Sequence, residues 1–312
     1  MKILVAGASG LVGSALGPAL RLQGHEVVTL VRRPVRRDDE IAWNPPAGEL
    51  GPAVLATTDA IVNLAGENIA AGRWTSERKA ALRRSRLDST RTLVRAMDRA
   101  EPRRRVLVNA SAVGFYGDRG DEVLTEDSPA GRGFLPELCA EWETEAQAAE
   151  SLGARVVRLR LGVVLAREGG ALARLLPVFR LGLGGRLGDG RAWMSWIELD
   201  DLIRVVDAVL TDPRWYGAIN AVAPGPVTNG EFTAGLGRML HRPAFLPVPR
   251  RLLELVYGEM AGATLLASAR VMPGRLVAGG FIFRQPDMTA ALRHVIDAGG
   301  SAAMEPPPNP SR

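Results

Sequence analysis

Lysine is almost missing from this chain: Lys2 and Lys79 are the only two in 312 residues. Tyrosine is nearly as scarce, with Tyr116, Tyr216 and Tyr257, and any chemistry that needs a tyrosine–lysine pair is confined to those few positions. One cysteine, Cys139, excludes an internal disulfide framework and fits a reducing cytoplasm, the location expected from sequence. His25, His241 and His294 are scattered, and no metal constellation follows from them. No apolar run is long enough to span a bilayer, and Met1-Lys2 leads directly into a strand-like run, so neither a membrane partner nor a signal peptide is expected.

Acidic excess is also lacking. The formal charge is +5 and the pI about 10.1, carried almost wholly by arginine. The arginines are dispersed; the densest groups, Arg83-Arg84-Ser85-Arg86 and Arg103-Arg104-Arg105, read as solvated faces. Aromatics make up 5% of residues and are not interleaved with arginine as a base-stacking platform requires, so no nucleic-acid partner is expected.

What is present is a glycine-rich turn, Gly7-Ala8-Ser9-Gly10-Leu11-Val12-Gly13. The apolar run Ile3-Leu4-Val5-Ala6 before it reads as a buried strand, and Ser14-Ala15-Leu16-Gly17-Pro18-Ala19-Leu20 after it has helical spacing. Such a turn lets a phosphate reach bare N–H groups at the positive end of a helix, the arrangement of dinucleotide sites. Strands are expected at Lys2–Ala6, Glu26–Val31, Ala60–Leu64, Arg105–Ala110 and Ala154–Leu161, with helices at Leu11–Gln23, Ser76–Arg99 and Leu135–Ser151. The alternation predicts an α/β, doubly wound parallel sheet.

Asp38–Gly51 reads as a loop, and the stretch from Gly169 to Gly185 as too glycine-rich for a regular crossover. A helix at Asp200–Leu210 and a strand at Ala218–Val222 return to the sheet. The expected division is a nucleotide-binding domain over 1–165 plus about 200–222, a smaller lobe over about 166–199 and 223–299, and a disordered tail over 300–312. After Val28-Thr29-Leu30-Val31 the second strand meets Arg32-Arg33, with no carboxylate before Asp38. A carboxylate there would repel a 2′-phosphate and a guanidinium would grip it, so NADP is expected over NAD.

Several segments resemble one family in the extended, epimerase-like branch of the short-chain dehydrogenase/reductase superfamily, a family with its own C-terminal domain. They include Asn63-Leu64-Ala65-Gly66-Glu67-Asn68-Ile69, Arg73-Trp74-Thr75, Ser111-Ala112-Val113-Gly114-Phe115-Tyr116-Gly117, Arg160-Leu161-Gly162-Val163-Val164-Leu165 and Trp193-Met194-Ser195-Trp196-Ile197. The likeness extends through Pro177–Gly185, Ala223–Asn229 and Pro247-Val248-Pro249, nearly the whole chain. It implies a Rossmann-type sheet with a small C-terminal substrate lobe, and an NADP site. On that resemblance Gly7, Ser9, Gly10, Leu11 and Val12 would wrap the pyrophosphate and Arg32 would meet the 2′-phosphate. Leu64 and Ala65 would border the adenine side, Arg86 would reach the cofactor from a long helix, and Val163 would lie near the nicotinamide.

The superfamily's usual chemistry uses a serine, a tyrosine and a lysine four residues after it, stacked on one helix face. Here the residues four after each tyrosine are Gly120, Asn220 and Ala261, so that dyad is absent. On the helix that should carry it, either Leu138 and Trp142 or Cys139 and Glu143 take the two places, and the second pair is either a thiol and carboxylate that move a proton or a buried thiol with a structural carboxylate. Ser111 matches the polarising serine or serves as a turn residue. Tyr116, in a loop over the nicotinamide position, is either the proton donor or lid packing. The acidic group Asp118, Asp121, Glu122, Glu126 and Asp127 reads as a solvated loop. Where relatives tend to carry a histidine this chain has Glu198, and Asp200 and Asp201 are expected to cap the following helix. The expected function is an NADP(H)-binding oxidoreductase or epimerase-like protein acting on an unidentified small molecule, or a non-catalytic NADP(H) sensor or scaffold.

Overall fold

In a computed structural model, residues 1–297 are described; the expected tail over 300–312 lies outside them. Strand β1, Lys2–Ala6, buries Ile3, Leu4, Val5 and Ala6, as a strand with helices on both faces must. Around it lie β2 (Glu26–Val31), β3 (Glu40–Ala42), β4 (Ala60–Asn63), β5 (Val106–Ala112), β6 (Arg155–Leu161) and β7 (Gly217–Ala221). All pair in parallel in the order β7-β6-β5-β4-β1-β2-β3, so the winding reverses between β1 and β4. A crevice for a ligand opens beyond the carboxyl ends of strands at such a reversal.

Period-two alternation along β1 divides the core. Ile3 and Val5 pack with Leu16 and Leu20 of α1 (Leu11–Leu22). Leu4 and Ala6 lie in the opposite layer with Leu93 and Met97 of α2 (Ser76–Arg99) and Ala146 of α3 (Phe134–Gln147). A second buried cluster is built from segments that follow β6. There Leu172, Leu176 and Phe179 of α4 (Gly170–Arg180) join Phe232 and Leu236 of α6 (Asn229–Met239) and Leu292 of α9 (Met288–Asp297). Between them in the chain, α5 (Leu199–Thr211) covers the sheet, while α7 (Arg250–Tyr257) and α8 (Gly274–Ala278) complete the helices.

Away from the site, the structure corrects four expectations. Asp38–Gly51 is not all loop: β3 adds an edge strand, too short for its alternation to show in sequence. The stretch from Gly169 to Gly185 is not irregular throughout, because α4 forms between its two glycine pairs. Glu198, not the two aspartates, caps α5 by accepting from the N–H groups of Asp200 and Asp201. Asp201 is buried and accepts instead from the N–H groups of Arg284 and Gln285 and from Arg204. Finally, Arg105 is buried rather than solvated, donating to the carbonyls of Leu55 and Glu101.

Candidate functional site

The glycine turn between β1 and α1 is crowded by backbone at Gly7 and Gly13. Gly7 has φ +82°, and a Cβ built on it would lie 2.6 Å from the carbonyl carbon and oxygen of Leu64. A Cβ on Gly13 would lie 2.3 Å from the Gly7 oxygen. Only glycine fits either position, and the close approach sets Leu64 and Ala65, at the end of β4, against the turn. No side chain caps α1 at Gly10, and no acidic residue occupies its first turn. Ser9 and Gly10 reach the surface, so the free N–H groups and the positive end of the helix dipole face outward. Leu11 and Val12 are half-buried, and Gly169 and Gly170, at the start of α4, pack on Leu11.

Two arginines follow β2, and the structure separates them. Arg33 donates to both oxygens of Glu40, at 2.9 and 2.7 Å, and to the Pro34 carbonyl. The Arg33 guanidinium, then the Arg36 N–H, hold the Glu40 carboxyl down at about 2. Arg32 is exposed, with no side-chain hydrogen bond or ion pair among the described residues. Arg86 on α2 reaches the same end of the sheet beneath Gly66, where a Cβ would lie 3.3 Å from its guanidinium carbon. Its partners are carbonyls of Leu82 (3.1 Å) and Glu67 (3.2 Å), with the Trp142 ring 5.2 Å away. The carboxylate of Glu67 belongs to Arg78. Arg86 is therefore a mostly buried cation without a carboxylate, and burial lowers its pKa. Val163 starts a short strand, Val163–Leu165, directly beyond β6, and stands half-buried at the same edge of the sheet.

Beside Val163 the expected chemistry meets a different arrangement. Ser111, at the end of β5, is buried and donates its hydroxyl to Glu143 at 2.7 Å. Glu143 in turn receives Nε and Nη2 of Arg160 at 2.8 and 2.9 Å. Arg160 Nη1 donates to the Tyr116 hydroxyl at 2.8 Å, and that hydroxyl donates to Asn220 at 2.7 Å. Cys139 is buried beside Ser111, and desolvation, then the Glu143 charge, push its thiol up to about 11. Thus Cys139 and Glu143, rather than Leu138 and Trp142, face Ser111.

Tyr116 is fully buried, in a 3-10 turn (Val113–Tyr116), where it packs with Leu124, Val222 and Val271. Burial raises its pKa, against the opposing effect of Arg160. Of the two roles expected for Tyr116, the geometry agrees with packing and not with a free proton donor: both bonds of its hydroxyl are made inside the protein. Glu126 is likewise not solvated. It is buried and accepts from the backbone N–H groups of Asn220 and Arg275, while Asp121, Glu122 and Asp127 pair with Trp193, Arg119 and Arg275.

The sequence assigned no role to Arg160 or Asn220 and read Glu126 as solvated. A signal for the first was available: Arg160 interrupts the apolar strand Val156-Val157-Arg158-Leu159-Arg160-Leu161, and a charge inside a buried strand needs a partner. Also unanticipated is His294 of α9, whose Nδ1 lies 3.7 Å from Glu198 Oε1, with Asp200 beside it. Burial, then the Asp200 charge, raise the pKa of Glu198.

A parallel sheet reversing beside a glycine turn, with an outward helix terminus and unpaired arginines around it, defines the Rossmann type of α/β protein. The chain belongs to the NAD dependent epimerase/dehydratase family, whose pattern matches residues 3–221; residues 248–295 match a domain of unknown function, DUF1731. An epimerase family protein of Mycobacterium bovis is 44% identical over 96% of this chain and 98% of its own length. The human epimerase family protein SDR39U1 is 36% identical over 95% of this chain and all of its own. A crystal structure of human SDR39U1 (isoform 2) with NADPH superposes with a TM-score of 0.88 at 34% identity, covering 95% of this chain and 99% of that one. A nucleoside-diphosphate sugar epimerase from Corynebacterium glutamicum gives a TM-score of 0.78 at 34% identity, covering 98% of this chain and 62% of that one.

Proposed function

We propose that this chain binds NADP(H) and holds it without the tyrosine–lysine acid–base chemistry of its superfamily. The observation that carries the reading is the anion cradle. A helix terminus without side-chain cap or acidic first turn opens beside two arginines, Arg32 and Arg86, that have no carboxylate partner. Gly7, Ser9, Gly10, Leu11 and Val12 would hold the pyrophosphate, Arg32 the 2′-phosphate, and Leu64 and Ala65 the adenine side. Arg86 supplies uncompensated positive charge, and Val163 borders the nicotinamide. The relative crystallised with NADPH supports this choice of cofactor.

Bound NADPH supplies a hydride. The residues beside it supply no free proton donor of the usual kind: the Ser111 hydroxyl is held by Glu143, that of Tyr116 by Asn220 and Arg160, and Cys139 is a buried thiol. This favours the dinucleotide as a held ligand for sensing or scaffolding over a substrate-turnover role. NADPH is expected to raise the melting temperature more than NADH, and Arg32→Asp to reverse that order. Equal shifts from both dinucleotides refute the cofactor assignment. Oxidation of NADPH by the wild type against a panel of small carbonyl compounds refutes the non-catalytic half and makes the protein an oxidoreductase.

A further inference from the structure

The smaller lobe carries an apolar face that no other described residue covers. The strip from Leu181 to Gly188 runs beside the strip from Arg242 to Val248. Arg242 Nε donates to the Arg180 carbonyl at 2.9 Å, Leu246 N to Gly184 at 3.3 Å and Val248 N to Arg186 at 2.8 Å. Helix α7 follows directly from Arg250. Only Leu253 of α7 is buried, packed with Ala261 and Leu266. Leu252, Leu255 and Val256, at i, i+3 and i+4, share a face directed to solvent. Leu181, Phe245 and Leu255 are 74%, 72% and 72% exposed, so they protrude instead of lining a groove. Exposed apolar side chains gathered on strips bonded side by side, unlike scattered single ones, mark an interaction surface.

The charge around this face is mainly positive. Residues 178–189 and 236–259 contain Arg180, Arg186, Arg238, Arg242, Arg250 and Arg251, against the carboxylates Asp189, Glu254 and Glu259. Glu254 lies 3.3 Å from Arg250. Next to Phe245 an open cavity of about 640 Å³ is lined by Arg238, His241 and Arg242, with no carboxylate in its wall. Protruding apolar side chains ringed by arginine are the composition of a surface that lies in a lipid headgroup layer.

We propose that this face adsorbs to an anionic lipid bilayer, with Leu181, Phe245 and Leu255 entering the acyl boundary and the arginines meeting lipid phosphates. The charge also argues against a second copy as the occupant. A two-fold contact sets a patch against itself, here six arginines per copy against six, with fewer carboxylates to offset them. The expectation of no membrane partner came from the lack of a spanning run, which does not bear on adsorption.

The test is co-sedimentation of the full chain with phosphatidylcholine vesicles, pure or containing about a third phosphatidylglycerol. Binding is expected only to the anionic vesicles, weakening as salt rises. Leu255→Glu and Arg242→Glu are each expected to lower the partition coefficient about tenfold or more. The NADPH-induced melting shift should be unchanged in both variants, which shows that they are folded. Failure to sediment with anionic vesicles overturns the proposal, as does sedimentation that both variants retain in full. A dimer of the wild type that Leu255→Glu converts to monomer assigns the face to a second copy, and capture by an acidic protein without vesicle binding assigns it to a protein.

Discussion

Replacing Glu143 by leucine probes the network that stands where acid–base residues were expected. The side chains of Glu143 and Arg160 are 4% and 5% exposed and share two short hydrogen bonds. Without Glu143, a guanidinium stays buried with no carboxylate, and the Ser111 hydroxyl has lost its acceptor. Breaking one side of a buried pair costs about 3–5 kcal/mol, and an orphaned hydroxyl about 1 kcal/mol more. For a chain of this size that is a fall in melting temperature of roughly 8–12 °C. Arg160→Met is expected to be similarly damaging, because it leaves the buried Glu143 carboxylate with only the Ser111 hydroxyl and the more distant Arg158, 3.9 Å away.

The double variant carries no buried charge at this position and is expected to be no less stable than either single one. That corresponds to a coupling of about 3 kcal/mol or more. Urea denaturation of the wild type, both single variants and the double measures it directly. Additive effects, or single losses below about 1 kcal/mol, would show the pair to be solvated and would leave the Ser111 hydroxyl free to polarise a substrate carbonyl.

Three further outcomes follow from the same geometry. Gly13→Ala pushes a methyl group against the Gly7 carbonyl, where backbone on both sides cannot yield; a loss of about 3 kcal/mol and of the NADPH-induced melting shift is expected by calorimetry. Cys139 should resist iodoacetamide at pH 8 in the folded protein and react once denatured, since its thiol sits at about 11; rapid native labelling, followed by mass spectrometry, refutes the burial. Glu40, held near 2 by Arg33, lends stability that is fully present above its unfolded value of 4.5 and disappears as pH falls toward 2. Glu40→Gln should flatten the acid limb of a stability–pH curve in that window, and an unchanged limb refutes the pairing.

The doubly wound sheet was legible because its signals are local. Short apolar runs, Ile3–Ala6 and Ala60–Val62, reveal β1 and β4, and the span of α2 follows from Ser76 and the long helical pattern after it. β3 was not legible, since three residues carry no periodicity and Glu40 reads as polar until Arg33 is seen to neutralise it. The cradle was likewise readable from glycine spacing. What surrounds Ser111 was not. It depends on α3 presenting Glu143 to a strand 17 residues further on and on Tyr116 meeting Asn220 across 104 residues. Non-local pairing of this kind leaves only an indirect trace in sequence, a charge where a strand should be apolar.

Glu143 has a consequence for what this scaffold can become. Lysine at that position would set an ammonium against the Arg160 guanidinium inside the core, and tyrosine for Cys139 would need a ring's volume in a filled space. Neither change is tolerable alone, and neither helps until position 160 has also changed. A tyrosine–lysine pair therefore lies several simultaneous substitutions away, each intermediate being less stable than the present protein. Single mutations can adjust how tightly this chain grips its ligand far more readily than they can give it the superfamily's standard reaction.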